Sequence, residues 1–576
     1  MAVRSADDLT YALRDREEVD NFEGVLSCEE EEDNVEEEED IETEEDGNGF
    51  ENEDEELEDE ELEDDTLSEE SARGRTFIRG RNGYKWSQNA SEVSLESPQI
   101  HVPSPAANVL HIRSPLDAWS ELFTDELLSI IVTHTNEKIA MNFRDSDEGE
   151  TPASRKETDV LEIKAYIGLL YYAGATGQSK QSIAEMWSSE FGVPFYVSVM
   201  SRPRFEVLSS VLRFDDKQTR EAREASDIFA PIREIWDLFI KRCRENYIPS
   251  NNLTIDKQLL GFNGNFSARV YINSRFGIKI ISMNDAKTYY MFNAIPYIGK
   301  VNTHKDESVP EYYVRTLTEP IYNSNRTVTF DNWFTTIRIC DKLRNQYGLH
   351  AIGTIRKNNR EIPPTFTTCA SIGLARYGYD NSKNITLLSF YPKRNKIVLA
   401  VSTLHKESTV DISKKPEIIE FYNETKDGVD TFNKMVSLYT TARQTARWPM
   451  RVFYGMLDQG GVNAAILYNL ITENQCLSRQ KFLKHLSISL CKPHLERRLN
   501  ITSLSRTIRS SISLILNKSE EHHMLHGLDR LEKRKICFFC PTKPVKKTLY
   551  CCANNECQRS VCEEHRLCIC RDCYYS

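Results

Sequence analysis

The sequence has no run of about 18 uncharged apolar residues, the length a membrane-spanning helix needs. Its opening stretch, MAVRSADDLTYALRD, lacks the apolar core of a secretory signal. A soluble, intracellular protein without a membrane partner is therefore expected. Bases are almost missing from the first 70 residues, where three arginines stand against 35 acids. Clustered cysteines are missing before residue 537. The six cysteines there are scattered singly, which suits a reducing compartment and argues against disulfides. The overall charge of −16 hides the contrast, because the residues after 70 carry 69 bases and 53 acids. A basic body favours polyanions, and nucleic acid is the commonest of these inside cells. The same surplus spread evenly would be an ordinary surface.

With 576 residues the chain is long enough for two to four domains. Residues 1–105 include dense acid runs such as CEEEEDNVEEEEDIETEED and few apolar residues, so a disordered acidic region is expected. Within it, RGRTFIRGRNGYKW (73–86) turns basic, as a nucleic-acid arm or a plain linker. The head itself is expected to compete with DNA for the basic body or to recruit proteins. Residues 106–250 carry apolar positions at helical spacing, as in DVLEIKAYIGLLYYAGAT. From 251 to 357 the period shortens towards two in β-branched and aromatic runs. Residues 358–415 remain strand-like but more polar, helices return from 428 to about 490, and a looser basic segment, 497–535, follows. The pattern predicts a multidomain α/β chain: a sheet-based core within a helical domain, followed by a cysteine-rich end.

Two short apolar strands are expected to end in an acid, NNLTID at Asp256 and NRTVTFD at Asp331. Acids at the ends of neighbouring strands converge on one sheet edge, and Asp430, within a predicted helix, would complete a trio. Three carboxylates can hold two divalent cations for phosphoryl transfer, and hard oxygen donors suit Mg2+ or Mn2+. Taken singly, Asp256 could as well close a turn and Asp331 cap a helix. Arg443, Arg447 and Arg451 are spaced to share a helical face, with Pro449 set to break it. Trp448 offers a flat surface for an unpaired base or a core side chain. Arg356, Lys357 and Arg360 follow a predicted strand.

The end of the chain reads Cys537-x2-Cys540, Cys551-Cys552-x4-Cys557, Cys562-x2-His565 and Cys570-x2-Cys573. Eight ligands in four pairs make two tetrahedral Zn2+ sites, and the metal would stabilise a segment too short for its own core. Either Cys551 or Cys552 can serve, and Cys568 is spare.

The stretches YVSVMSRPRFEVLSSVLRFDD, NNLTIDKQLLGF, VTFDNWFTT, GTIRKNNREIP and GVDTFNKM…ARWPM resemble the piggyBac transposase family, from about residue 110 to the C-terminus. The resemblance implies an RNase H-like catalytic core (251–357 and 416–440) interrupted by an insertion domain (358–415). It implies a helical dimerisation and DNA-binding domain (106–250 and 441–530) and a cross-brace zinc domain (536–573). It puts a catalytic DDD triad on Asp256, Asp331 and Asp430, and DNA contacts on Arg356, Lys357, Arg360, Arg443, Arg447, Trp448 and Arg451. It implies cut-and-paste transposition at TTAA sites through hairpin ends, a homodimer and a nuclear location. One zinc would take Cys537, Cys540, Cys562 and His565; the other Cys552, Cys557, Cys570 and Cys573. Family members carry a further acid one turn after the third triad residue, where this chain has Asn433. That departure leaves open a domesticated, catalytically weakened DNA- or chromatin-binding protein.

Overall fold

The computed structural model describes residues 77–90, 100–143, 152–272, 275–299, 301, 303, 307–368, 371–406, 415–472, 475–501, 503–516, 528–540, 545–552 and 557–565. They divide into two units, one drawing on residues up to Gln181 and on Glu206–Leu490, the other on Ser182–Phe205 and the residues from Cys491 on.

An 11-stranded mixed sheet organises the first unit. Its strands are β1 (Phe77–Arg79), β2 (Lys85–Ser87), β3 (Asn252–Gly261), β4 (Val270–Ile272), β5 (Arg275–Asp285), β6 (Met291–Pro296), β7 (Thr327–Phe330), β8 (His350–Thr354), β9 (Ala375–Asp380), β10 (Ile385–Lys393) and β11 (Lys396–Ser402). The spatial order is β1-β2-β9-β10-β11-β8-β7-β3-β5-β4, with β6 also paired to β5. The three central strands, β3, β7 and β8, run parallel; the remaining pairs are antiparallel. Central parallel strands are covered on both faces, and β7 is buried along its whole length, as its run TVTF anticipates.

Three expectations change. Residues 77–90 are part of the sheet: Ser87 pairs with Tyr379 of β9, and Trp86 is fully buried. Strands of three residues are too short to read as a hairpin in sequence. Within 358–415, where an insertion domain is expected, residues 375–402 are strands that extend the central sheet, Ile352–Thr354 of β8 pairing with Ala400–Ser402 of β11. Finally, β3 does not end at Asp256 but runs five residues further, supported on that side by β5 alone.

Helices of this unit include α1 (Asp125–Phe143), α2 (Val160–Ala175), α3 (Arg202–Val211, which starts in the second unit), α4 (Ala230–Glu245), α5 (Glu417–Thr425), α6 (Gly428–Leu438) and α7 (Trp448–Thr472). The buried α7 joins the helices to the sheet. Gly460 admits the Phe123 ring, whose atoms would lie 2.3 Å from an added Cβ. The Tyr171 hydroxyl of α2 donates to the Leu457 carbonyl at 2.7 Å. On the other side Gln459 donates to Gln258 of β3 at 2.5 Å, and the Asn463 amide spans the backbone N–H and C=O of Met291.

The second unit contains a helix at Pro194–Val199 packed against one at Arg506–Ile515, with Trp187 set between Tyr196 and Phe205. It also contains the hairpin formed by Leu528–Ile536 and Lys547–Cys552. No helix among the described residues is long and apolar enough to cross a membrane.

Candidate active site and metal centre

The parallel register of β3 and β7 builds the first site. Thr254 lies opposite Thr329, and Ile255 opposite Phe330. The next residue on each strand is an acid, so Asp256 and Asp331 stand side by side where β7 ends. Side chains alternate along a strand, so these acids share a face with Thr254 and Thr329. That face receives α5 and α6. The Thr254 hydroxyl donates to the Thr425 carbonyl, and the Thr329 hydroxyl meets the Thr425 hydroxyl at 2.7 Å. Gly428 then brings α6 almost onto the strand, since an added Cβ would lie 2.5 Å from Thr254 Oγ1. Asp430 follows in the first turn of α6, where the helix N-terminus favours a negative charge.

The three acids feel one another. Burial pushes the Asp256 carboxyl well above the usual range, and the charges of Asp331 and Asp430 add to that. The Asp430 carboxyl is raised too, by partial loss of surrounding water and by the charges of Asp427 and Asp331, although the residue keeps an exposed face. Asp331 makes a local turn, with one oxygen accepting from the Trp333 N–H at 3.0 Å. Its other oxygen lies 3.5 Å from the Lys257 ammonium, which also sits over the Trp333 ring. Helix capping falls to Thr336 instead, whose hydroxyl accepts from the Ile339 N–H at 3.1 Å.

Asn433 lies one turn beyond Asp430. Its Nδ2 donates to the Lys257 carbonyl at 3.3 Å, and its Oδ1 is buried without a hydrogen-bond partner. A carboxylate there would lose the donor and face a carbonyl oxygen. Asn433 thus fixes the strand beside Asp256, a role that its sequence neighbours do not reveal.

The arginines after α6 differ from the expected helical face. Arg443 and Arg447 precede α7 outside any helix or strand, and Pro449 lies in the first turn of α7, where its missing N–H costs nothing. Arg443 donates to the carbonyls of Ser179 and Gln181. Arg447 donates to those of Ser209, Ser210 and Leu212 at the end of α3, and Arg451 to that of Gly261. Trp448 packs between Phe229 and Phe266 at 5.5 and 4.6 Å. These four side chains brace the unit from within. Arg356, Lys357 and Arg360 are exposed on the loop after β8.

In the second unit, Cys537, Cys540, Cys562 and His565 bring their donor atoms within 4.8 Å of one another, the one such group among the described residues. The His565 Nδ1 lies 3.7, 3.7 and 3.3 Å from the sulfurs of Cys537, Cys540 and Cys562, and the Cys540 and Cys562 sulfurs are 3.8 Å apart. A tetrahedron with metal–sulfur bonds of about 2.3 Å has edges of roughly 3.8 Å, so the cluster has the dimensions and donors of a tetrahedral metal site. Strand pairing and turns form it: the Cys537 N–H donates to the Lys546 carbonyl at 2.8 Å, and the Cys562 N–H to the Cys537 sulfur at 3.2 Å. Cys552 packs with Cys557, Val561 and Phe539, whereas Cys551 alternates to the other face. Cys570 and Cys573 lie outside the described residues.

A family model described as Transposase IS4 matches residues 114–465. The cryo-EM structure of the piggyBac transposase synaptic complex with hairpin DNA superposes with a TM-score of 0.72 and 35% identity, over 82% of this chain and all of that one. This chain belongs to the piggyBac-type transposases. The human piggyBac transposable element-derived protein 3 is 22% identical over 392 residues, which are 63% of this chain and 62% of that protein. The human chimeric ERCC6-PGBD3 protein matches at the same identity, with 35% of its length covered. The chain thus spans less than two thirds of either curated relative.

Proposed function

We propose that this transposase-family chain is a metal-dependent cut-and-paste DNA transposase. The side-by-side placement of Asp256 and Asp331, completed by Asp430, carries the reading. On it, β6-β5-β3-β7-β8 is the RNase H-like core. The like-charged, hard-oxygen donors suit Mg2+ or Mn2+ by their chemistry; Asp256, Asp331 and Asp430 would hold the ion on drawing closer, since only the Cys3His group among the described residues has its donors within 4.8 Å. The ion would polarise the phosphate and activate a water or 3′-hydroxyl. Cleavage frees a 3′-hydroxyl at the element's end. That hydroxyl attacks the opposite strand, forming one P–O bond as another breaks, and leaves a hairpin. The reopened end joins TTAA target DNA. Arg356, Lys357 and Arg360 contact DNA, and the part-exposed Arg443, Arg447, Trp448 and Arg451 add DNA contacts while bracing the unit that carries the site. Two Zn2+ ions, one on the observed Cys3His cluster and one on Cys552, Cys557, Cys570 and Cys573, make a cross-brace. A homodimer acting in the nucleus completes the reading, by analogy with the family.

The test is excision in cells of a reporter flanked by the ends of this element's own locus. The wild-type chain excises; Asn433→Asp brings no gain, because the amide N–H already holds the Lys257 carbonyl. A silent wild type rescued by Asn433→Asp would instead establish a decayed catalyst. A silent wild type that no change rescues favours a DNA-binding descendant, a second reading supported by Asn433 and by relatives named as element-derived.

Lys257 supplies a further prediction. Its ammonium lies 3.5 Å from Asp331, so it competes with a divalent ion for that carboxylate. Lys257→Met therefore binds Mn2+ several-fold more tightly without DNA, read by the loss of free-ion electron paramagnetic resonance signal. Unchanged affinity would mean that the pair does not compete.

A further inference from the structure

The hairpin made by β1 and β2 is fastened to the loop that follows β8. At its turn, Gly83 adopts φ +81°, and the Gly80 N–H closes on the Tyr84 carbonyl at 2.7 Å. The turn sits directly on residues 360–361: the Asn82 N–H donates to the Arg360 carbonyl at 3.1 Å, and the Trp86 indole N–H to the Glu361 carbonyl at 2.8 Å. A Cβ on Gly80 would lie 2.4 Å from the Glu361 carbonyl oxygen. On the far side, Tyr84 donates to Asp380, and Lys383 caps the Tyr84 ring at 4.8 Å. Asp380 is thereby occupied by Tyr84, Ser382 and Lys383.

This attachment places two basic stretches, distant in sequence, on one surface. Arg79, Arg81 and Lys85 are exposed on the hairpin, and Arg356, Lys357 and Arg360 on the loop. The acids that act on Tyr84 at this surface are Asp380, already engaged, Asp341, which accepts from Asn345, and the half-buried Glu361. Arg79 and Lys85 are direct cross-strand partners. Like charges opposed in this way destabilise a hairpin, a cost that a bound polyanion removes.

We propose that the hairpin and the loop form one phosphate-binding platform, and that the residues around the hairpin turn are DNA-backbone contacts. This rests on the transposase reading and extends its DNA surface to a segment before the family-matched region. Six exposed cations on two joined segments suit sequence-independent phosphate contact.

The experiment uses the full chain with Arg79→Ala, Arg81→Ala and Lys85→Ala combined, binding a duplex of its own terminal sequence across a salt series. Each phosphate contact contributes about 0.9 to the slope of log affinity against log salt. The expected result is a slope smaller by about two to three, recovered with lysine at positions 79 and 81. A control lacking three other exposed lysines, Lys217, Lys241 and Lys481, keeps the wild-type slope. The hairpin proposal is overturned if the triple variant keeps that slope, or if the control loses as much. It is also overturned if the variant loses affinity only for a peptide of residues 1–70, which would make the acidic head the occupant. If the wild-type chain binds no DNA, the transposase reading fails with it. Because all three side chains are exposed, an unchanged melting temperature checks the fold.

Discussion

Asp256→Asn slows DNA cleavage on the order of 10^3-fold, leaves DNA binding intact and raises the melting temperature of the metal-free protein. The three outcomes share one cause. Asp256 is half-buried beside two other acids, and its loss of surrounding water together with their charges pushes its carboxyl well upward. A raised acid contributes stability below its unfolded value that is lost as pH rises through the folded value. Near neutral pH the charged Asp256 is therefore a burden on the fold. The amide removes it and keeps an oxygen for the Lys257 N–H, which Asp256 accepts at 2.7 Å. A gain of about 1 kcal/mol would raise the melting temperature by a few degrees or less in a unit of this size. Losing a ligand that helps stabilise several kcal/mol of transition-state charge slows cleavage on the order of 10^3-fold. Calorimetry with and without Mg2+, beside a cleavage assay and a binding titration, separates these effects. A variant that cleaves normally removes Asp256 from the chemistry. One that loses cleavage but melts lower marks a structural residue instead.

Much of this site is legible in the primary structure, and the part that is not has a physical reason. The apolar runs LTI and TVTF followed by an acid locate Asp256 and Asp331 on strands. What places the two side by side is the register, Ile255 opposite Phe330, which is decided by packing between residues 75 apart in sequence. Period-two patterning also leaves open where a strand stops. β3 outruns its parallel neighbour because β5 supports it to Gly261, so Asp256 is mid-strand yet at the edge of the parallel pair. The arginines were misplaced because an i, i+4 spacing reads as helical wherever it occurs. Pro449 decides otherwise: it opens α7, leaving Arg443 and Arg447 outside any helix or strand to satisfy carbonyls. The stretch at 77–87 stands out in sequence by its basic charge, but its three-residue strands are too short to read as a hairpin, although the WS pair is as buried as the core. Asn433 shows the limit of reading a substitution by charge alone. Its lost negative charge is visible in sequence, whereas the hydrogen bond it donates to Lys257 is visible only in the fold.

The cysteine-rich end yields the second large effect. With Zn2+ removed by a strong chelator, or with Cys562→Ser, the hairpin of Leu528–Ile536 and Lys547–Cys552 loses its fold, while the 11-stranded sheet keeps its own melting transition. The hairpin's apolar support is meagre: Cys552 and Val561 are buried, with Phe539 and Cys557 packed on them. Such a cluster supplies a few kcal/mol at about 25 cal/mol per Å², too little to order this many residues at roughly 1–2 kcal/mol each. Zinc held by four such ligands supplies about 10–16 kcal/mol in small metal-folded peptides, enough to reverse the balance. Because the thiols and the imidazole must lose protons to bind, the module should release metal as pH falls. Native mass spectrometry should count two zinc ions in the intact chain, and limited proteolysis should cut between residues 528 and 565 once they are gone. A protease-resistant module after complete chelation would mean that hydrogen bonds such as Val561 N–H to the Tyr550 carbonyl, at 2.8 Å, hold it without metal. A count of one zinc would leave Cys537, Cys540, Cys562 and His565 as the only closed site, with Cys552 and Cys557 serving as core.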